Sequence, residues 1–159
     1  MGLLNKEAFA IVCLHPQLLQ EKVQGREMKI GLLEDDSAIQ EMLSLVLQDE
    51  GYAVTIYPTA EECLNALIKP GREQKNLPIN LLIVDWRLVG SVPGTEVIRT
   101  LRGKSSFASL PIILTTAATF HNTDELYDLQ VSLLEKPFAV DEIVNLIKNL
   151  TQPGTLADD

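Results

Sequence analysis

Five side chains stand where apolar runs of this chain end. Glu34 and Asp35 follow Met28–Leu33, and Asp85 closes the run Leu81-Leu82-Ile83-Val84. Thr116 follows Pro111–Thr115, and Lys136 follows Ser132–Glu135. Carboxylates gathered in one place repel one another, and at least one holds a proton unless positive charge is supplied. Oxygen donors of this kind suit Mg²⁺, held by a few carboxylates, a carbonyl and waters. Lys136 adds a further positive charge. The three acids are then balanced by the two charges of the metal and the one of the lysine. A nucleophilic carboxylate in such a neutral site can accept a phosphoryl group, because the cations offset charge in the transition state. The Thr116 hydroxyl can bond a phosphoryl oxygen. Each residue alone has a plainer reading. Acids before a helix cap it, a threonine ends a strand, and a lysine snorkels. The specific signal is the set of types at the strand ends, in this order.

The elements that must position these residues can be read from hydrophobic patterning. Leu81–Val84 has no polar alternation, which marks a strand buried on both faces of a parallel sheet. Met28–Leu33 is a similar strand. Ile39, Met42, Leu43, Val46 and Leu47 then recur at helical spacing, and Gly51 closes that helix. Tyr52–Tyr57 alternates as a strand. Thr59 with Glu62 forms a capping box that opens a second helix, carrying Leu64, Leu67 and Ile68 and stopping at Pro70-Gly71. A polar loop covers residues 70–79. The pattern predicts a third helix over Gly94–Arg102, a strand over Pro111–Thr115, and at most a short helix over Asp124–Leu129. A strand over Ser132–Glu135 follows, then a last helix with Val140, Ile143, Val144, Ile147 and Leu150 facing inward.

Strands alternating with helices give right-handed βαβ units and an α/β fold. The expected architecture is a flavodoxin-like open parallel five-stranded sheet, order 2-1-3-4-5, with helices on both faces. That order brings the carboxyl ends of strands one and three together, where ligands of such sheets gather. Residues 1–27 form an N-terminal extension, read as a short helix, a break at His15-Pro16 and a second helix or coil. His15 reads as an ordinary loop residue. Residues 28–150 form the domain, and residues 151–159 a flexible tail.

The 159 residues suffice for one ordinary domain, with 46% hydrophobic and 22% charged residues. A net charge of −9 argues against a nucleic-acid-binding surface and is compatible with a divalent-cation site. The two cysteines, Cys13 and Cys63, have no ligand spacing and make no disulfide framework, so a cytoplasmic protein is expected. The apolar run Ala8–Leu14 is too short to span a bilayer and lacks a basic flank, so neither a membrane segment nor a signal peptide is expected.

From Met28 to about Leu150 the chain resembles the receiver domain of two-component response regulators. The resemblance is carried by Lys29-Ile-Gly-Leu-Leu-Glu34-Asp35-Asp36, Leu82-Ile-Val-Asp85, Pro111-Ile-Ile-Leu-Thr-Thr116-Ala117 and Glu135-Lys136-Pro137-Phe138. It implies that Asp85 is the phospho-acceptor. Mg²⁺ would be bound by Glu34, Asp35, Asp85 and the backbone carbonyl of Arg87. Thr116 would be the switch hydroxyl, Lys136 would pair with the phosphoryl group, and Lys136-Pro137 would be a cis peptide. The chain departs from the family in several places. Val89 stands where a proline is usual, four residues after the acceptor. Gly94 falls one position late, after Pro93. Leu133 replaces the aromatic residue expected three before the lysine, and the segment from Thr116 to Lys136 is short.

The reading that follows is a phosphorylation switch of the stand-alone receiver type. It takes phosphate from a histidine kinase and passes output to a histidine phosphotransfer protein or a separate output protein, with no direct nucleic-acid or membrane partner. It is a phosphoryl acceptor with slow self-dephosphorylation, not an enzyme. The alternative is a pseudo-receiver, a phosphorylation-independent interaction module, favoured by Leu133 and the weak fourth helix. An aspartate-nucleophile phosphatase would need an acid/base carboxylate where Arg87 stands. A flavodoxin would need a hydroxyl- and glycine-rich loop where the chain is acidic.

Overall fold

The structure, a computed structural model, describes residues 27–70, 76–90, 92–117 and 123–152. The expectations for the N-terminal extension, including His15 and Cys13, and for the tail beyond Gln152 lie outside the described residues. The described chain runs β1 (Lys29–Leu33), α1 (Ser37–Asp49), β2 (Ala53–Tyr57), α2 (Ala60–Leu67), β3 (Leu81–Asp85) and α3 (Gly94–Arg102). A short 3₁₀ turn (Ser105–Phe107) follows, then β4 (Ile112–Thr116), α4 (Thr123–Leu129), β5 (Ser132–Glu135) and α5 (Val140–Thr151). All strand pairs are parallel, in the order β2-β1-β3-β4-β5, as the patterning predicted.

The uninterrupted apolar strands are explained by cover on both faces. Along β3, Leu81 and Ile83 face a cluster with Leu43 and Leu47 of α1 and Ile143, Val144 and Ile147 of α5. Leu82 and Val84 face the other way, among Cys63 and Leu67 of α2, Val97, Ile98 and Leu101 of α3, and Leu129 of α4. Cys63 is fully buried there, and burial pushes its thiol up to about 12. The helix-spaced Met42 lies outside its cluster, 48% exposed. Val140, expected to face inward, is 47% exposed, because it is the first residue of α5 and the helix meets the sheet only from Ile143 onward.

The boundary shifts have local causes. β4 begins at Ile112, not Pro111, since proline has no N–H to give the ladder, although its carbonyl still accepts from Leu82 N–H at 3.0 Å. α2 ends at Leu67, short of Pro70. Lys69 precedes the proline and is disfavoured in the α region, so the chain leaves the helix at Ile68. α5 runs one residue into the expected tail, where the Thr151 hydroxyl donates to the Ile147 carbonyl at 2.7 Å. Of the capping box, the Thr59 hydroxyl accepts from Glu62 N–H at 3.2 Å.

Two further features fix the loops, one at the carboxyl edge of the sheet and one at its amino edge. The first turn of α3 lies against the end of β3, and a Cβ on Gly94 would meet the Asp85 carbonyl oxygen at 2.3 Å, so only glycine allows that approach. Arg102, near the end of α3, donates to the carbonyls of Leu129 (3.1 Å), Gln130 (2.9 Å) and Phe107 (2.7 Å). It thereby ties α3 to the 3₁₀ turn and to the turn after α4. At the opposite end of α4, Arg99 pairs with Glu125.

Candidate functional site

Parallel strands bring their carboxyl ends to one edge, and the register sets what meets there. Leu33 pairs with Val84, so Glu34 follows β1 beside Asp85 at the end of β3. Asp85 pairs with Thr115, and Thr116 pairs with Glu135, which puts Lys136 next in line. Carboxylate oxygens of Glu34, Asp35 and Asp85 all lie within 4.8 Å of one another. Lys136 Nζ sits 2.9 Å from Asp85 Oδ1 and 3.5 Å from Glu34 Oε2. Thr116 is buried at the end of β4, and its carbonyl accepts from Lys136 N–H at 2.7 Å. The Lys136-Pro137 peptide is cis. Arg87 is exposed, two residues beyond Asp85. Leu133, on β5, is half-buried against the cluster on the α2–α3–α4 face.

The site is crowded with like charge. Burial pushes the Glu34 carboxyl above the usual carboxylate range. A bond from Asp36 N–H pulls it back, the Asp85 charge raises it again, and Lys136 offsets part of the rise. For Lys136, burial alone would lower the ammonium. Its hydrogen bond to Asp85 and the charges of Glu34 and Asp85 outweigh that and hold it above the usual lysine value. One ammonium against three carboxylates leaves an excess of negative charge at a cluster of hard oxygen donors. That donor set fits a small divalent cation such as Mg²⁺ and does not fit a soft metal.

Asp36, next to the cluster, is spent on structure. Its Oδ1 accepts from Ala38 and Ile39 N–H at 2.9 and 3.0 Å and caps α1. Two contacts had no signal in the sequence. The Gln40 amide donates to the Glu34 carbonyl at 2.6 Å, and Val89 N–H donates to Asp35 Oδ2 at 2.8 Å. The second requires only that position 89 is not proline and so carries an N–H.

The model of the response regulator receiver domain family matches residues 30–148, and the chain belongs to that family. It is 34% identical over 134 residues to the uncharacterized transcriptional regulatory protein YkoG of Bacillus subtilis, covering 82% of this chain and 54% of the relative. It is 32% identical over 123 residues to the phosphate regulon transcriptional regulatory protein PhoB of Rhizobium meliloti, covering 76% of this chain and 50% of the relative. The chain thus spans about half the length of these curated relatives. Its fold matches that of the chemotaxis protein CheY4 of Vibrio cholerae with a TM-score of 0.67 over 79% of this chain and 99% of that one, at 22% identity. Among the described residues no helix is long and apolar enough to cross a membrane.

Proposed function

We propose that Asp85 accepts a phosphoryl group from a phosphorylated histidine of a histidine kinase. The observation that carries this reading is the 2.9 Å contact of Lys136 Nζ with Asp85 Oδ1 inside the Glu34–Asp35–Asp85 cluster. An Asp85 carboxylate oxygen attacks phosphorus, the phosphorus–nitrogen bond of the donor breaks, and its electron pair returns to the imidazole. The product is an aspartyl phosphate. Lys136 orients the nucleophile and offsets charge on the phosphoryl oxygens as they approach. Thr116, at the adjacent strand end, has a hydroxyl that can donate to one of those oxygens. Mg²⁺ held by Glu34, Asp35, Asp85 and the carbonyl of Arg87 would supply the remaining positive charge during transfer. Slow hydrolysis resets the site, so the chain is an acceptor and not a turnover enzyme.

Output then passes to a partner protein, either a histidine phosphotransfer protein or a separate output protein. The net charge of −9 supports a domain that does not itself hold nucleic acid. A free, buried Cys63 is in keeping with a cytoplasmic setting. The test is intact-mass measurement after exposure to a small phosphodonor, with and without Mg²⁺, beside Asp85→Asn. One phosphoryl gain in the native chain, only with Mg²⁺, is expected. An equal gain in both proteins would remove Asp85 as acceptor. No gain in either would favour the phosphorylation-independent interaction module.

A further inference from the structure

In the stretch after β3, Arg87–Gly90, only Leu88 packs against the core, while Arg87, Val89 and Gly90 are exposed. Val89 is 88% exposed. Its backbone nevertheless reaches back across the chain, donating its N–H to Asp35 Oδ2 at 2.8 Å. The turn that allows this continues through Gly90, whose φ of +135° is closed to other residues without strain.

A carboxylate has about four lone-pair sites over its two oxygens, so one N–H leaves ample capacity for a cation. What the N–H removes is freedom. Asp35 is only half-buried, and the bond to Oδ2 restrains its carboxylate against turning out to water. Ligands oriented beforehand by a hydrogen bond bind metal more tightly than ligands that must be ordered on binding.

We infer that the Val89 backbone amide is a positioning group for Asp35, coupling cation binding in the acid cluster to the order of the Arg87–Gly90 loop. This rests on the metal-binding reading of Glu34, Asp35 and Asp85 given above. The coupling is reciprocal: the latch favours the cation, and the cation in turn holds the latch closed. A proline at position 89 would have no N–H to give, whereas alanine keeps it.

The test uses the full chain. Mg²⁺ titrations are followed by calorimetry and by emission of Trp86, which directly follows Asp85. Val89→Ala should bind within about 2-fold of the native chain, and Val89→Pro about 10-fold more weakly. Amide exchange supplies a second reading that needs no proline. Val89 N–H should be protected in the native chain, more so with Mg²⁺, and unprotected in Asp35→Ala. Equal or tighter binding by Val89→Pro would overturn the inference, as would equally fast Val89 exchange in the native chain and Asp35→Ala. Absence of any Mg²⁺ binding by the native chain would overturn the metal site and the coupling together, whereas native binding without these differences would overturn the coupling alone.

Discussion

Among the described residues, Lys136 is the cation paired with the carboxylates of the cluster, and it contacts Glu34 and Asp85 at once. The folded domain therefore holds more negative charge at this edge than its own residues neutralise. Removing one carboxylate should relieve the repulsion while Lys136 keeps Glu34. We expect Asp85→Asn to stabilise the protein without divalent cations by about 1 kcal/mol, a rise in melting temperature of about 3 °C. The gain should shrink or reverse in excess Mg²⁺, because the native chain then gains binding energy. A lower melting temperature for the variant in chelator would show that the Lys136 contact outweighs the repulsion. Glu34, Asp35, Asp85, Thr116 and Lys136 were legible as a group because each stands at the end of a strand-like run, and parallel topology sends such ends to one edge. The Val89 contact with Asp35 was not legible. Every residue but proline carries a backbone N–H, and nothing in the side-chain sequence says which one will aim at a carboxylate.

At the scale of elements, β3, α3 and β5 have the bounds that patterning predicted, and for β3 the unbroken apolar run stopping on a carboxylate leaves little choice. Proline acting on its neighbours accounts for two misjudged ends, at Pro111 and before Pro70, while β1, β2, α4 and α5 each differ from expectation by one residue at one end. The junction of β3 and α3 carries the tightest packing constraint. Gly94→Ala would place a methyl 2.3 Å from the Asp85 carbonyl oxygen and 2.9 Å from Val84 Cγ1, and since the nearest atom is strand backbone, the junction can relieve the clash only at a cost. We expect a loss of about 2 kcal/mol, read as a melting temperature lower by about 4–8 °C. The same displacement should weaken Mg²⁺ binding, because the strand end that presents Asp85 would move. An unchanged melting temperature would mean that α3 can tilt away at no cost.

For the whole molecule, the sheet divides the core into one cluster with α1 and α5 and another with α2, α3 and α4. Helices on both faces, like the strand order, followed from the alternation of strand and helix patterns, whereas which helices share a face is a finding of the structure. The fates of Met42 and Val140 did not, because helical spacing marks a face but not how far the sheet extends beneath it. Leu133 on β5 pairs with Leu114, two residues before Thr116, and has no hydroxyl with which to make or break a hydrogen bond. A beryllium fluoride phosphoryl mimic should therefore shift amide signals strongly around Asp85 and Thr116 and only modestly beyond Leu133. Large shifts throughout α5 would contradict this. The contacts of Arg102 bear on how α4 can move. Its guanidinium fork grips carbonyls at the C-terminal end of α4, while the other end is held by the Arg99–Glu125 pair, which is partly open to water and correspondingly weak. Sliding α4 along the surface would break the fork, but lifting its first turn would not. The helix is thus anchored most firmly at Leu129–Gln130, with Leu126 packed on the core between its ends, and the least firmly held part is the first turn, the end that follows Thr116 in the chain.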